Sequence, residues 1–205
     1  MNKKTFKMER KKILTAYYHD YRNRLDRILD QVRIDDLEKV VSTIIETFKS
    51  GNTLYICGNG GSAATASHMQ SDFSFYVRNF TKFRPKVQAL TDNVPMLTAV
   101  GNDTSFYDIF IEQMKGIFKP GDSIVCISAS GNSENVIRAA EYANANGGKS
   151  IGFIGFTGGK LKDICTVSLF TPNPKGDYGP IEDVHMIYDH LLINYLCLDE
   201  DFLKL

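Results

Sequence analysis

The 205-residue chain has no surplus of charge: 24 lysines and arginines stand against 24 aspartates and glutamates. That balance gives no sign of a general polyanion binder, so no nucleic-acid partner is expected, although a tight local basic site remains compatible with it. Long apolar runs are missing as well. Nothing approaches the length of a membrane span, so no membrane partner is expected. The opening stretch Met1-Asn2-Lys3-Lys4-Thr5 is basic but leads into further charge rather than an apolar core, unlike a secretory signal. Cysteine is scarce. Cys57, Cys126, Cys165 and Cys197 lie in or beside apolar runs without paired metal spacing, and read as reduced core residues. These absences lead to the expectation of a cytoplasmic protein. The length fits one domain with an appended helical element, placed at 1–52 ahead of a main domain at 53–205.

What is present begins with Cys57-Gly58-Asn59-Gly60-Gly61-Ser62-Ala63-Ala64. An apolar run, Thr53-Leu54-Tyr55-Ile56, precedes it and a helical pattern follows. Strand, glycine-rich turn and helix start build an anion pocket from backbone, because free N–H groups and the helix dipole favour a phosphate. A second version runs Ile124-Val125-Cys126-Ile127-Ser128-Ala129-Ser130-Gly131-Asn132-Ser133. One such loop is weak, since any tight turn needs glycine. Two in one short chain imply a small phosphorylated ligand held at the carboxyl ends of neighbouring strands.

Residues 8 to 49 read as helical, with Tyr17, Tyr21, Leu25, Ile28 and Leu29 recurring at three- and four-residue steps. A second pattern follows Asp35-Asp36: Leu37, Val40, Val41, Ile44 and Ile45. These helices carry more apolar surface than a solvated arm needs, so they are expected to pack on the domain or on another subunit. Beyond them, strands are expected at 53–57, 86–91, 123–128, 150–154 and 166–170. Helices are expected near 62–76, 104–118, 133–146 and 181–198. Doubly apolar strands separated by helices imply an α/β fold, a parallel sheet covered on both faces.

His68 and Asp72 stand four apart on the helix after the first loop and share a face. Alone, such a pair is worth a few tenths of a kcal/mol on a helix surface. Its place one turn past a phosphate-type loop favours metal binding or acid–base work instead. The last helix holds Glu182, Asp183, His185, Asp189 and His190. Glu182 and His190 are separated by about 80° around it, whereas His185 and His190 diverge by about 140°. Both histidines are therefore not expected in one site; His185 reads as packed or exposed, and Asp189 stays open as a partner in line with Glu182. Ser62, Ser128, Ser130 and Ser133 offer hydroxyls for phosphate or sugar binding, without a nucleophile-elbow pattern. Leu90-Thr91-Asp92-Asn93 and Val100-Gly101-Asn102-Asp103, the latter read as a turn before a helix, are expected to face the same crevice. Asp103 suits a helix cap as well as a ligand contact. The basic stretch Arg78 to Lys86 reads as a solvated loop able to steer an anion.

The Gly58-Asn59-Gly60-Gly61-Ser62-Ala63 loop, the Ser128-Ala129-Ser130-Gly131-Asn132-Ser133 loop and Gly101-Asn102-Asp103 resemble the sugar isomerase (SIS) domain. Within that family they look most like phosphoheptose isomerases, which interconvert sedoheptulose 7-phosphate and a D-glycero-heptose 7-phosphate. The resemblance implies a five-stranded, flavodoxin-like parallel sheet in a homotetramer, with sites completed between subunits and the product destined for a bacterial surface polysaccharide. It further implies that Ser128, Ser130 and Ser133 hold phosphate and that Asn59, Gly60, Gly61 and Ser62 contact sugar. His190 matches the catalytic histidine, and Asp72 stands where the family has a catalytic glutamate. His68, Asp72, Glu182 and His190 fall on zinc-ligand positions, and a different divalent cation is also compatible with them. Three departures stand out. Asp72 is one methylene short, and a shift of about 1 Å can cost about a hundredfold in rate. Glu182 replaces a glutamine, adding a charge that favours a cation. Ala129 replaces a threonine, removing one hydroxyl. Two alternatives follow: a non-catalytic SIS-fold sugar-phosphate sensor or partner-binding regulator, or an isomerase for another sugar phosphate.

Overall fold

The computed structural model describes residues 3–81 and 83–205, without the side chains of residues 3–6 and of Arg78. Five strands, β1 Thr53–Gly58, β2 Lys86–Ala89, β3 Ser123–Ser128, β4 Lys149–Ile154 and β5 Val167–Phe170, form one all-parallel sheet. Their order is β2-β1-β3-β4-β5, the flavodoxin-like arrangement expected from the resemblance. All five expected strands are present, though β2 ends at Ala89 rather than at 91. β3 is buried along its whole length, as a strand covered on both faces must be.

The helices in chain order are α1 Lys3–Leu29, α2 Ile34–Lys49, α3 Gly61–Ser71, α4 Val94–Asp103, α5 Ile111–Met114, α6 Glu134–Ala145, α7 Gly159–Ile164, α8 Tyr178–Leu196 and α9 Glu200–Leu203. One apolar cluster combines α2, α3 and α8 with one face of the sheet, through Val40, Ile44, Leu54, Ile56, Met69 and Leu192. A second, on the opposite face, gathers Tyr55, Cys57, Ile124, Cys126, Val136 and Ala140. Each fully buried aliphatic side chain in these layers stabilises the fold by about 1.5–3 kcal/mol. Cys57, Cys126 and Cys197 are buried and Cys165 is half-buried; all four are free thiols, as expected.

The expected packing of the first two helices divides between them. α2 buries one face, including Val40 and Ile44, against the sheet. α1 meets α8 around Tyr21 and Arg24, where Tyr21 donates to Asp183 and Arg24 pairs with Asp177. The stretch before that contact leaves Ile13, Leu14, Tyr17 and Tyr18 exposed.

Three expectations need correction. The helix near 104–118 is not formed: a 3-10 turn, Phe106–Asp108, and the short α5 occupy that stretch. Val100-Gly101-Asn102-Asp103 is therefore no turn before a helix; it is the end of α4, which Pro95 in the first turn and the Asn93 cap initiate. Asp103 ends a helix rather than capping the start of one. Finally, the α7 segment carries a helix where a plain connection was expected. In the basic stretch Arg78 to Lys86, Lys82 and the side chain of Arg78 lie outside the described residues.

His185 is fully buried between the rings of Phe153 and Tyr188, each with its centroid 6.2 Å away. Neither ring nitrogen finds a hydrogen-bond partner among the described residues, and burial pulls its pKa down to about 3. Between the unfolded value near 6.5 and about 3, the unfolded chain binds the extra proton, so stability falls as pH drops through that window. The loss amounts to roughly 5 kcal/mol at most. His185→Leu should remove that share of acid sensitivity. Urea unfolding near neutral pH and near pH 4 checks this; an unchanged difference between variant and parent would show that folded His185 takes a proton readily.

Candidate active site

β1 and β3 are neighbours in the sheet, with Gly58 opposite Ile127, so the two glycine-rich loops leave its carboxyl edge side by side. The first loop turns through Gly60, at a left-handed φ of 54°, into α3. The second turns through Gly131, at φ 64°, where a Cβ would lie 1.9 Å from the Gly158 carbonyl oxygen. Only glycine tolerates both demands. Neither N-cap residue, Gly60 before α3 or Ser133 before α6, caps its helix with a side chain, although Asn135 Oδ1 accepts from the Val136 N–H at 3.0 Å. The positive ends of α3 and α6 are thus left for an anion.

A cavity of about 140 Å³ lies between the loops, lined by Asn59, Ser62, Ser128, Ser130, Ser133 and Glu182 among others. That is small beside the roughly 300–1,000 Å³ of a drug-sized pocket, and suits a phosphate group. Ser128 Oγ accepts from the Gly131 N–H at 3.1 Å and lies 3.4 Å from Ser133 Oγ. Ser130 Oγ accepts from the Asn132 N–H at 3.2 Å. Ala129, buried beside them, adds only a methyl group. Asn59 is held by a reciprocal amide pair with Asn135, both bonds 2.9 Å. Asn135 went unnoticed in the sequence, where nothing separates it from any polar residue in a first helical turn.

A second cavity of about 420 Å³ shares Asn59 and Gly60 and reaches Thr91 and Gly101, one residue of each crevice segment; Asp92, Asn93 and Asp103 do not line it. Asp92 accepts from the Ser67 hydroxyl, and Asn93 Oδ1 caps α4 by accepting from the Met96 N–H at 3.1 Å. Asp103 accepts from the Asn102 amide at 2.6 Å and is exposed.

Further along α3 and α8 lies a cluster of possible ligands. His68 Nε2 is 3.0 Å from His190 Nε2 and 3.6 Å from Asp72 Oδ2. A π-helical turn, Asp72–Tyr76, begins at Asp72, an interruption often found at functional positions. Tyr76 donates to Asn194 at 2.9 Å, and Asn194 donates to the His190 carbonyl at 2.6 Å, tying the turn to α8. Ligand atoms of His68, Asp72, Asp189 and His190 all lie within 4.8 Å of one another, a set that could hold a metal ion. Burial, and then the charge of Asp72, pushes the Asp189 carboxyl up to about 8. Glu182 is outside this group: its carboxylate lies over Gly61, where a Cβ would meet Oε2 at 2.4 Å.

The SIS domain profile matches residues 16–155. The chain belongs to the SIS domain family. Among curated relatives, the phosphoheptose isomerase of Aliarcobacter butzleri is 37% identical over 158 residues, 77% of this chain and 82% of that protein. The phosphoheptose isomerase of Crocosphaera subtropica is 41% identical over 154 residues, 75% of this chain and 77% of the relative. The solved structure of phosphoheptose isomerase GmhA from Neisseria gonorrhoeae superposes with a TM-score of 0.80 at 26% identity, covering 90% of this chain and 97% of that one. The match ends before α8, the helix that carries Glu182, Asp189 and His190.

Two glycines of this SIS site separate function from folding. Gly61→Ala meets only the movable end of Glu182, and should leave thermal stability within a few degrees while weakening sugar-phosphate binding. Gly131→Ala meets backbone at an unfavourable φ and should cost stability outright, by about 1–3 kcal/mol. Thermal melts beside sugar-phosphate titrations check both; equal destabilisation would show that Glu182 cannot move aside.

Proposed function

We propose that this SIS protein is an aldose–ketose isomerase that converts sedoheptulose 7-phosphate to D-glycero-D-manno-heptose 7-phosphate. The observation that carries the reading is the placement of a phosphate-sized, serine-lined cavity and a His/Asp cluster along one helix. Glu182 at the cavity and His190 at the cluster are eight residues apart on α8, about 12 Å along its axis. An extended seven-carbon sugar phosphate spans roughly 10 Å from phosphorus to carbon 1. A pentose phosphate falls short by two carbon–carbon steps. The names of the relatives agree with this length.

The chain's own groups supply each step. Ser128, Ser130 and Ser133, with the N-terminal ends of α3 and α6, hold the phosphate. Asn59, Gly60, Gly61, Ser62 and Glu182 orient the sugar, with Asp92, Asn93 and Asp103 bordering its approach. Isomerisation removes the proton from carbon 1 of the ketose and returns one to carbon 2, while a second proton moves between the two oxygens through an enediol. Asp72 and His190 divide these jobs, one at carbon and the other at oxygen. His68 and His190, with carboxylate ligands, suit zinc or another divalent cation. Such an ion, when bound, polarises the carbonyl or orders the side chains.

The reading extends to a cytoplasmic homotetramer with sites completed between subunits, and the 1–52 segment, with the exposed face of α1, as the oligomerisation element. The product fits synthesis of the heptose of a lipopolysaccharide or capsule.

Incubation with sedoheptulose 7-phosphate, followed by NMR, should show an aldose phosphate accumulating to equilibrium. Asp72→Asn and His190→Gln should each lower kcat by about 100-fold or more while sugar-phosphate binding persists. Tight binding without turnover in the parent protein would favour a sensor; turnover of a shorter sugar phosphate alone would reassign the substrate.

A further inference from the structure

The carboxylate that completes the cluster is not the one the family resemblance implies. We propose that Asp189, in place of Glu182, is the second carboxylate ligand of a divalent cation held by His68, Asp72, Asp189 and His190. The proposal rests on reading that cluster as the catalytic end of the isomerase site.

Spacing is the first reason. From His68 Nε2, the other donors stand at 3.0 Å in His190, 3.6 Å in Asp72 and 3.9 Å in Asp189. Four donors placed tetrahedrally at zinc bond lengths of 2.0–2.2 Å are separated by about 3.3–3.6 Å. The separations from His68 bracket that range, and all four donors lie within 4.8 Å of one another.

Burial is the second. Asp189 is fully buried, and neither carboxylate oxygen has a hydrogen-bond partner among the described residues. Its ion-pair contact among them is the long one to His68. A carboxylate without hydrogen bonds or counter-charge is expensive to bury, and here a second carboxylate, Asp72, converges on the same point. A divalent cation answers both at once. With two neutral imidazoles and two carboxylates the charge closes to zero.

Glu182 is kept away by the helices that carry it. It sits two turns before Asp189 on α8, about 10 Å along the axis, and lies over Gly61, which is two turns before His68 on α3. Joining the cluster would require it to leave the loop where it faces the phosphate cavity. The two acidic residues of α8 thus have separate tasks, Asp189 toward the cation and Glu182 toward the sugar.

The test measures zinc binding to the full chain, stripped of metal by chelator, by calorimetric titration without substrate. Cobalt(II) substitution supplies a visible spectrum that reports the ligand set. Asp189→Asn should weaken zinc binding by about 100-fold or more and alter the cobalt spectrum. Glu182→Gln should bind zinc within about threefold of the parent, with an unchanged cobalt spectrum. Asp189→Asn is isosteric and leaves a neutral amide where the buried carboxyl stood, so its metal-free melting temperature should stay within a few degrees of the parent's. Should it fail to fold, the Glu182→Gln result still decides: loss of zinc there overturns the assignment. Absence of zinc or cobalt binding in the parent also overturns it, as does parent-like binding by Asp189→Asn. Because binding is read without substrate, an inactive parent that nonetheless binds zinc through Asp189 would sink the isomerase reading and leave the ligand set standing.

Discussion

Pairing of β1 with β3 is the constraint on which the rest of this molecule depends. The strands are separated in sequence by β2 and the helices α3, α4 and α5, yet they lie side by side in parallel register, Leu54 opposite Ser123 through Gly58 opposite Ile127. The chain reverses its direction of winding at this point, so helices leave the sheet on opposite faces and open a crevice at its carboxyl edge. Both glycine-rich loops end there. The Asn59–Asn135 amide pair then bonds one loop to the helix that follows the other. Without that pairing, either loop is only a turn.

The second organising element is α8. Its buried residues Ile181, Val184, Tyr188 and Leu192 lock it into the apolar layer beneath the sheet. That anchoring sets the distance between Glu182 at the cavity and His190 at the cluster. It also brings His185 and Asp189 fully inside, where polar groups without partners are costly. The first is a cost of position, tolerated in a core rich in aromatic rings. The second lies against the cluster, where a cation can offset it.

How much of this was legible follows the strength of the local signal. Doubly apolar runs such as Ile124–Ile127 and Ile151–Ile154 mark parallel strands almost regardless of context. The glycines at 60 and 131 mark turns in the left-handed region that other residues adopt only under strain. His68 and Asp72 reveal a shared face by their spacing alone. Around 94–118 the local signals conflict. Gly101 and Asn102 look like breakers but sit inside α4, whereas the aromatic run from Phe106 to Phe110 looks helical and folds mostly as short turns. Tertiary contacts outweigh propensity there, with Ile109, Phe110 and Met114 buried against the sheet.

By itself the sequence determined the strand count, the parallel sheet and the identity of the two anion loops. Those depend on apolar patterning and on backbone freedom, properties carried within a few consecutive residues. Tertiary structure alone decided which distant side chains meet: Asn59 with Asn135, His68 with His190, and Asp189 rather than Glu182 with Asp72. Such meetings depend on the crossing of α3 and α8 and on the depth to which each helix is buried. Helical periodicity gives the direction of a residue around its own axis. It says nothing of where a second axis will cross it, and a ligand set is made at the crossing.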